Sequence, residues 1–114
     1  MTRAAVLIGD ESEKHFMGRV QRAAKVFGWA VFHQLDSVGT APGFPDLVLI
    51  KPPRVIFAEL KSEHGRLRLS QRLVLSLLAR CPGVETYTWR PSDEPVIWRV
   101  LSGGPPAIAV ELER

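Results

Sequence analysis

The segment PGFPDLVLIKPPRVIFAELK, residues 42–61, decides the fold of this chain. It contains two apolar runs, DLVLI at 46–50 and RVIFAELK at 54–61, which predict two short β-strands. The intervening KPP predicts a tight turn, so the two strands would pair as a hairpin. Because side chains alternate along a strand, every second residue of the hairpin would face the same side of the sheet.

Three charged residues occupy strand positions in this hairpin. Glu59 and Lys61 lie two residues apart on one face of the second strand, and the turn would bring Asp46, at the start of the first strand, towards Glu59. An ion pair at the edge of the sheet would explain Glu59 and Lys61, and a turn contact would explain Asp46. Alternatively, the two converging carboxylates would repel each other and bind a divalent cation, while Lys61 would orient a water or offset charge on a phosphate.

Hydrophobic spacing and glycine or proline punctuation predict the elements around the hairpin. These elements are a helix at 11–27 that ends at Gly28, a strand at 29–34, a helix from about 70 to 80, a strand at 84–89 and a helix from Ser92 through Leu101. The resulting order, α-β-β-β-α-β-α, predicts an α/β domain with a central mixed β-sheet flanked by helices.

Particular residues are predicted to begin these helices and to fill the core. Asp10 with Glu13 fits a loose capping box for the first helix, and Ser70 is the predicted N-cap of the second. Apolar side chains at helical spacing are expected to face the sheet: Phe16, Val20, Ala24 and Phe27 in the first helix, Leu73, Leu77 and Leu78 in the second, and Val96, Ile97, Val100 and Leu101 in the third.

The composition indicates one globular domain. The chain has 114 residues and a mass of 12.7 kDa, so we assign residues 1–114 to a single domain and leave the tail at 102–114 without predicted structure. Cys81 is the only cysteine, which excludes an internal disulfide and a cysteine-based zinc site. No apolar run is long enough for a membrane span or a signal peptide, so we expect a cytoplasmic protein.

Basic residues are concentrated in the middle of the chain. The formal net charge is +3, but residues 51–90 alone carry eight Lys or Arg against three Glu. This distribution fits either a surface that faces a polyanion or a solvated basic face without a partner. The sequence has no glycine-rich phosphate loop and no G-x-S-x-G motif, which argues against a nucleotide-triphosphate enzyme and a serine hydrolase, so we expect no nucleotide cofactor.

The order of the charged residues resembles a known nuclease signature. Pro45-Asp46 followed by Glu59-Leu60-Lys61 resembles the P-D…(D/E)-x-K signature of the PD-(D/E)XK nuclease superfamily. The surrounding residues resemble its VRR-NUC (virus-type replication-repair nuclease) branch, especially the small stand-alone forms from phages and bacteria. The resemblance spans about residues 12–101 and includes FH…DS at 32–37, PGFPDLVLI at 42–50, RVIFAELKSEHGRL at 54–67 and YTWRPSD at 87–93. It implies a restriction-endonuclease-like core.

The resemblance also implies roles for individual residues of the E-x-K strand and its neighbour. Asp46 and Glu59 would be the metal-binding carboxylates, and the main-chain carbonyl of Leu60 would be a further metal ligand. Lys61 would serve the attacking water or the transition state.

Two further catalytic residues are implied outside the hairpin. Glu13 would reach the metal from the first helix, directly or through a bound water, and its position three residues before Phe16 places it along the face that packs on the sheet. Gln71 matches the glutamine that follows E-x-K in this branch, where it would position Lys61, water or phosphate. A capping role also explains Glu13, and a neutral place in the first helical turn also explains Gln71.

The function that the resemblance implies is that of a Mg²⁺-dependent DNA endonuclease, with Mn²⁺ able to replace Mg²⁺. We expect a homodimer with two active sites that cleaves branched, junction or flap DNA in replication, repair or recombination. Arg66, Arg68 and Ser37 are candidate DNA contacts, although a solvated loop or a turn would explain them as well. The alternative is a non-catalytic DNA-binding or assembly module on a nuclease-like fold. An RNA substrate is not favoured, because the sequence has no base-stacking signature.

Overall fold

The computed structural model describes residues 11–33 and 42–103 of the chain. In these ranges the helices are α1 (Glu13–Val26), α2 (Leu69–Ala79) and α3 (Glu94–Leu101), and a short 3-10 turn, Pro91–Asp93, precedes α3. The strands are β1 (Ala30–His33), β2 (Leu47–Lys51), β3 (Arg54–Leu60) and β4 (Val84–Trp89). Asp10, Ser37 and residues 104–114 lie outside the described ranges.

The four strands form one mixed sheet in the order β1-β2-β3-β4. Strand β2 pairs antiparallel with both β1 and β3, whereas β4 is parallel to β3. A parallel neighbour requires a crossover connection, and α2 supplies it. The predicted α/β class and the predicted order, α-β-β-β-α-β-α, are therefore confirmed, and they are consistent with a restriction-endonuclease-like core.

The main core lies between one face of the sheet and helices α1 and α3. The fully buried strand residues on this face include Leu47, Leu49, Ile56, Ala58 and Leu60. The helices contribute the predicted positions of α1 and α3, namely Phe16, Val20, Ala24, Ile97, Val100 and Leu101, and Phe27 and Val96 pack at the margin. Since alternate residues of β3 point the opposite way, Glu59 faces the other side of the sheet, where α2 lies.

Helix α2 is rotated relative to the prediction. Leu73 and Leu77 were expected in the core, but they are 57% and 58% exposed, and Leu78 is half-buried. The buried residues of α2 are Gln71 and Leu75, which lie four residues apart on one face. The helix turns a polar residue inward because the Gln71 side chain has a buried hydrogen-bond partner on the sheet.

The helix starts also differ from the predicted caps. Ser12, rather than Asp10, is the N-cap of α1 and accepts a hydrogen bond from the His15 N–H at 3.1 Å. The N-cap of α2 is Arg68, two residues before the predicted Ser70, which therefore lies inside the helix. Ser92 belongs to the 3-10 turn and not to the start of α3, because its N–H and hydroxyl both donate to Glu63.

None of the helices within residues 11–33 and 42–103 combines the length and the apolar character that crossing a membrane requires.

The rotation of α2 predicts unequal effects of two identical truncations. Leu75 is 3% exposed, so L75A should lower the free energy of unfolding by about 2–5 kcal/mol through lost burial and a residual cavity. L73A, in the same helix at an exposed position, should change it by no more than about 0.5 kcal/mol. Urea unfolding followed by circular dichroism measures both, and a larger loss in L73A than in L75A would show that the helix has the phase predicted from the sequence.

Candidate active site

The register of the hairpin places Asp46 opposite Glu59. Leu47 pairs with Ala58 in the antiparallel ladder, so the next residue on each side belongs to the same cross-strand step. Asp46 is held there by a hydrogen bond from the Leu60 N–H to its Oδ2 at 3.0 Å. The first expectation about the site, that the turn brings the two acidic residues together at one end of the sheet, is met.

Glu59 is a buried residue of which one carboxyl oxygen accepts a hydrogen bond from a described residue and the other does not. The residue is 2% exposed, and its Oε2 accepts a hydrogen bond from Gln71 Nε2 at 2.8 Å. Its Oε1 is buried and accepts no hydrogen bond from the residues that the structure describes. A buried carboxylate oxygen without a hydrogen bond is costly in a folded protein, and such an atom is suited to bind a cation, a proton or a water.

Burial makes Glu59 hard to ionise. The pKa of its carboxyl is raised from 4.5 to about 8, first by burial and then by the repulsion of the neighbouring Asp46 carboxylate. The positive charge of Lys61 acts in the opposite direction but does not offset burial. Near neutral pH the metal-free site therefore retains a proton that an ordinary glutamate would release.

Lys61 lies beside Glu59, and within residues 11–33 and 42–103 its ammonium makes only one long contact, with Glu59. Its backbone N–H donates to the Trp89 carbonyl at 3.0 Å, which continues the parallel pairing of β3 with β4 for one more step. The Nζ atom is 4.0 Å from Glu59 Oε2, at the limit of an ion pair and beyond hydrogen-bond distance. Because the side chain is only 8% exposed, this ammonium is held at the end of the strand rather than in solvent.

Gln71 connects α2 to the carboxylate pair in a defined orientation. Its Oε1 accepts a hydrogen bond from the Arg68 N–H at 2.7 Å, which leaves the amide nitrogen to donate to Glu59. Because an amide oxygen can only accept and the nitrogen only donate, the Arg68 contact determines which end of the side chain reaches the site. Gln71 therefore holds one oxygen of Glu59 and leaves the other oxygen available.

Glu13 lies at the edge of this arrangement. Its side chain is exposed, and its Oε2 is 3.7 Å from the position that a Cβ on Gly65 would occupy, in the loop that follows Lys61. Within the described ranges no group of three or more Asp, Glu, His or Cys side chains is placed to hold a metal ion. The structure thus brings together Asp46, Glu59, Lys61 and Gln71, and it leaves Glu13 next to the loop.

The loop between β3 and α2 is fixed by a residue that the sequence analysis did not select. Arg90 Nη1 donates to the carbonyl oxygens of Ser62, Glu63 and Gly65 at 2.9, 3.4 and 2.5 Å. An arginine directly after a buried strand was the only sequence signal for this role. The loop carries Arg66 and leads to Arg68, and both of these predicted DNA contacts are exposed.

The donor set fits a hard divalent cation. Mg²⁺ keeps several of its waters and is commonly bound by only one or two carboxylates, so a cluster of three acidic side chains is not required. Asp46 and the unengaged Oε1 of Glu59 are oxygen donors of the kind this ion prefers. The Leu60 N–H supports Asp46, while a metal contact of the Leu60 carbonyl stays a prediction.

Comparisons with known proteins returned no match. No family model matches the chain, and no curated protein or solved structure matches it. Membership of the VRR-NUC branch therefore stays a prediction from the sequence.

The raised pKa of Glu59 predicts that the metal-free protein loses stability as the pH rises. Between about pH 4.5 and pH 8 the folded state keeps a proton on Glu59 that the unfolded chain releases, so increasing pH favours unfolding. Each unit of pKa difference corresponds to about 1.4 kcal/mol, so the total effect should be a few kcal/mol. Urea unfolding in EDTA from pH 5 to pH 8.5 measures this slope.

The variant E59Q isolates the contribution of this one carboxyl group. E59Q should remove most of the slope, whereas E94Q, at a half-exposed carboxylate on α3, should keep it. A wild-type stability that is flat or rises over this pH range would contradict the assignment.

Proposed function

We propose that this protein is a Mg²⁺-dependent DNA endonuclease of the VRR-NUC type, which hydrolyses phosphodiester bonds. The observation that supports it most directly is the buried Glu59, whose Oε1 has no hydrogen-bond partner among the described residues, held beside Asp46 and 4.0 Å from the ammonium of Lys61. A purely structural ion pair would place the lysine against both glutamate oxygens and leave no oxygen unsatisfied. The arrangement is better explained as a site that is completed by a cation.

The chemistry follows from the roles of the individual side chains. Asp46, Glu59 and the Leu60 carbonyl would hold Mg²⁺, with Mn²⁺ as a substitute. When bound, the cation would polarise the phosphodiester and lower the pKa of a coordinated water. Lys61 would donate to the attacking water or to a phosphate oxygen and offset the negative charge that develops there. Attack on phosphorus breaks the bond to the 3′ oxygen, which takes up a proton, so the products carry a 5′-phosphate and a 3′-hydroxyl.

Surface charge supports a polyanionic substrate. The carboxylates of Glu11, Glu63, Glu85 and Glu94 all accept hydrogen bonds from side-chain or backbone partners within the described ranges. Exposed cations that make no ion pair with a described carboxylate are Lys14, Arg22, Lys25, Lys51, Arg66, Arg68, Arg72, Arg80 and Arg99. Arg66 and Arg68 follow the catalytic strand most closely, so we assign them to the DNA backbone near the scissile phosphate.

The biological setting is part of the same proposal. We place the protein in the cytoplasm, where DNA is accessible and an exposed free thiol such as Cys81 stays reduced. The preferred substrates would be branched, junction or flap DNA that arises in replication, repair or recombination. The competing function is a DNA-binding or assembly module in which the acidic residues are structural, and the exposed position of Glu13 is the observation that favours it.

Cleavage assays with three site variants test the catalytic proposal. D46N, E59Q and K61M should each lower Mg²⁺-dependent cleavage by at least about 100-fold, because each removes a group that acts on the metal or on transition-state charge. The measurement is kcat on linear, nicked, flap and junction DNA with Mg²⁺, Mn²⁺ or EDTA, and E94Q is the matched carboxylate control. Full activity in D46N and E59Q, or no divalent-dependent cleavage by the wild type, would favour the binding module.

A single chain of this size has a small basic surface, and we therefore propose that it functions as a homodimer. Light scattering at micromolar concentration should give about twice the 12.7 kDa chain mass. A monomer mass would contradict the dimer without affecting the assignment of the site.

A further inference from the structure

Gly43 lies against the start of α2 at a distance that only a glycine permits. A Cβ built on Gly43 would lie 2.3 Å from the Ser70 carbonyl oxygen, 2.5 Å from the Ser70 carbonyl carbon and 3.0 Å from the Gln71 nitrogen. These neighbours are all backbone atoms of the first turn of α2, so no side chain can rotate away to make room. Gly43 also has a φ of +95°, in the left-handed region that favours glycine.

This contact lies between two segments that carry site residues: the segment before β2, which carries Asp46, and the start of α2, which carries Gln71. Gly43 is three residues before Asp46, and the intervening Pro45 is buried. The short segment from Gly43 to Asp46 therefore has little conformational freedom, and a shift of Gly43 would also move Asp46. On the other side, Ser70 directly precedes Gln71, whose amide holds Glu59. The backbone contact between Gly43 and Ser70 therefore sets the distance between the segment that carries Asp46 and the helix that carries Gln71.

The geometry points to Gly43 as a positioning residue for the Asp46–Glu59 pair, acting through the start of α2. A methyl group needs about 3.4 Å from an oxygen, so an alanine would push the segment or the helix away by about 1 Å. A shift of this size at reacting groups can reduce the rate about 100-fold. This inference rests on the proposed nuclease function, but its structural part can be tested without a cleavage assay.

The test compares G43A with a control variant that shares its backbone conformation but not its contact. Gly83, in the turn between α2 and β4, has a φ of +82°, and nothing lies within 4 Å of its Cβ position. An alanine at either site meets the same kind of φ strain, which should lower the melting temperature by about 5 °C in each variant. Only G43A adds the clash with α2, so it should lose more stability than G83A, and it alone should show a defect in the site.

Three measurements distinguish positioning from a general loss of structure. In G43A the NMR resonance of the Gln71 side-chain amide should move, and the Kd for Mg²⁺ measured by calorimetry should rise at least 10-fold. The kcat for DNA cleavage should fall about 100-fold, while KM for DNA should stay within about twofold of wild type. G83A should leave all of these unchanged. G43N keeps the clash but tolerates positive φ better than alanine, so it should be as defective as G43A.

The possible outcomes separate the two claims. If the wild type binds Mg²⁺ and G43A matches it in affinity, kcat and the Gln71 resonance, Gly43 does not position the site and the nuclease proposal stands. Recovery in G43N, or an equal defect in G83A, would also overturn the inference, because backbone strain alone would then explain the effect. If the wild type neither binds Mg²⁺ nor cleaves DNA, the proposed function fails, and the inference fails with it.

Discussion

The pairing of β2 with β3 holds two carboxylates at one end of the sheet, and the rest of the site depends on it. Leu47 and Leu49 on β2 and Ile56 and Ala58 on β3 are all fully buried in the main core. A slip of one residue on β3 would move these apolar side chains to the opposite face and put Glu59 into the core, so burial strongly specifies the register. The energy of the hydrophobic core thus keeps Asp46 and Glu59 together although their charges repel.

Helix α2 is adapted to the site at the expense of its own packing. Its inward face carries Gln71, while Leu73 and Leu77 remain exposed. A helix that packed only for burial would turn its leucines towards the sheet, because each buried leucine contributes about 1.5–3 kcal/mol. The observed orientation satisfies a buried carboxylate oxygen instead, and the cost of leaving such a group unpaired is of comparable size. Gly43 lies so close to the backbone of Ser70 and Gln71 that a side chain there would clash with the start of this helix.

The charged groups of the described residues fall into two sets with different roles. Structural carboxylates such as Glu11 and Glu85 lie against an arginine, which holds the pKa of each below its usual value. Glu59 is the opposite case, since burial raises its pKa and its nearest cation is 4.0 Å away. Local rules are often broken at functional sites, where the structure tolerates strain or charge for the sake of chemistry. This contrast is the physical basis for treating Glu59 as a candidate functional residue and Glu11 and Glu85 as structural ones.

The sequence alone determined the element order, the hairpin and the presence of Asp46 opposite Glu59, because strand alternation and a two-proline turn leave few other arrangements. It did not determine the rotation of α2, since the leucine pattern predicts the opposite face and only the contact with Glu59 reverses it. The roles of Gly43 and Arg90 were also decided by the tertiary structure, because both depend on backbone atoms of segments distant in the chain. Patterns of apolar residues report burial, whereas the partners of polar and backbone groups are defined only after the elements have packed.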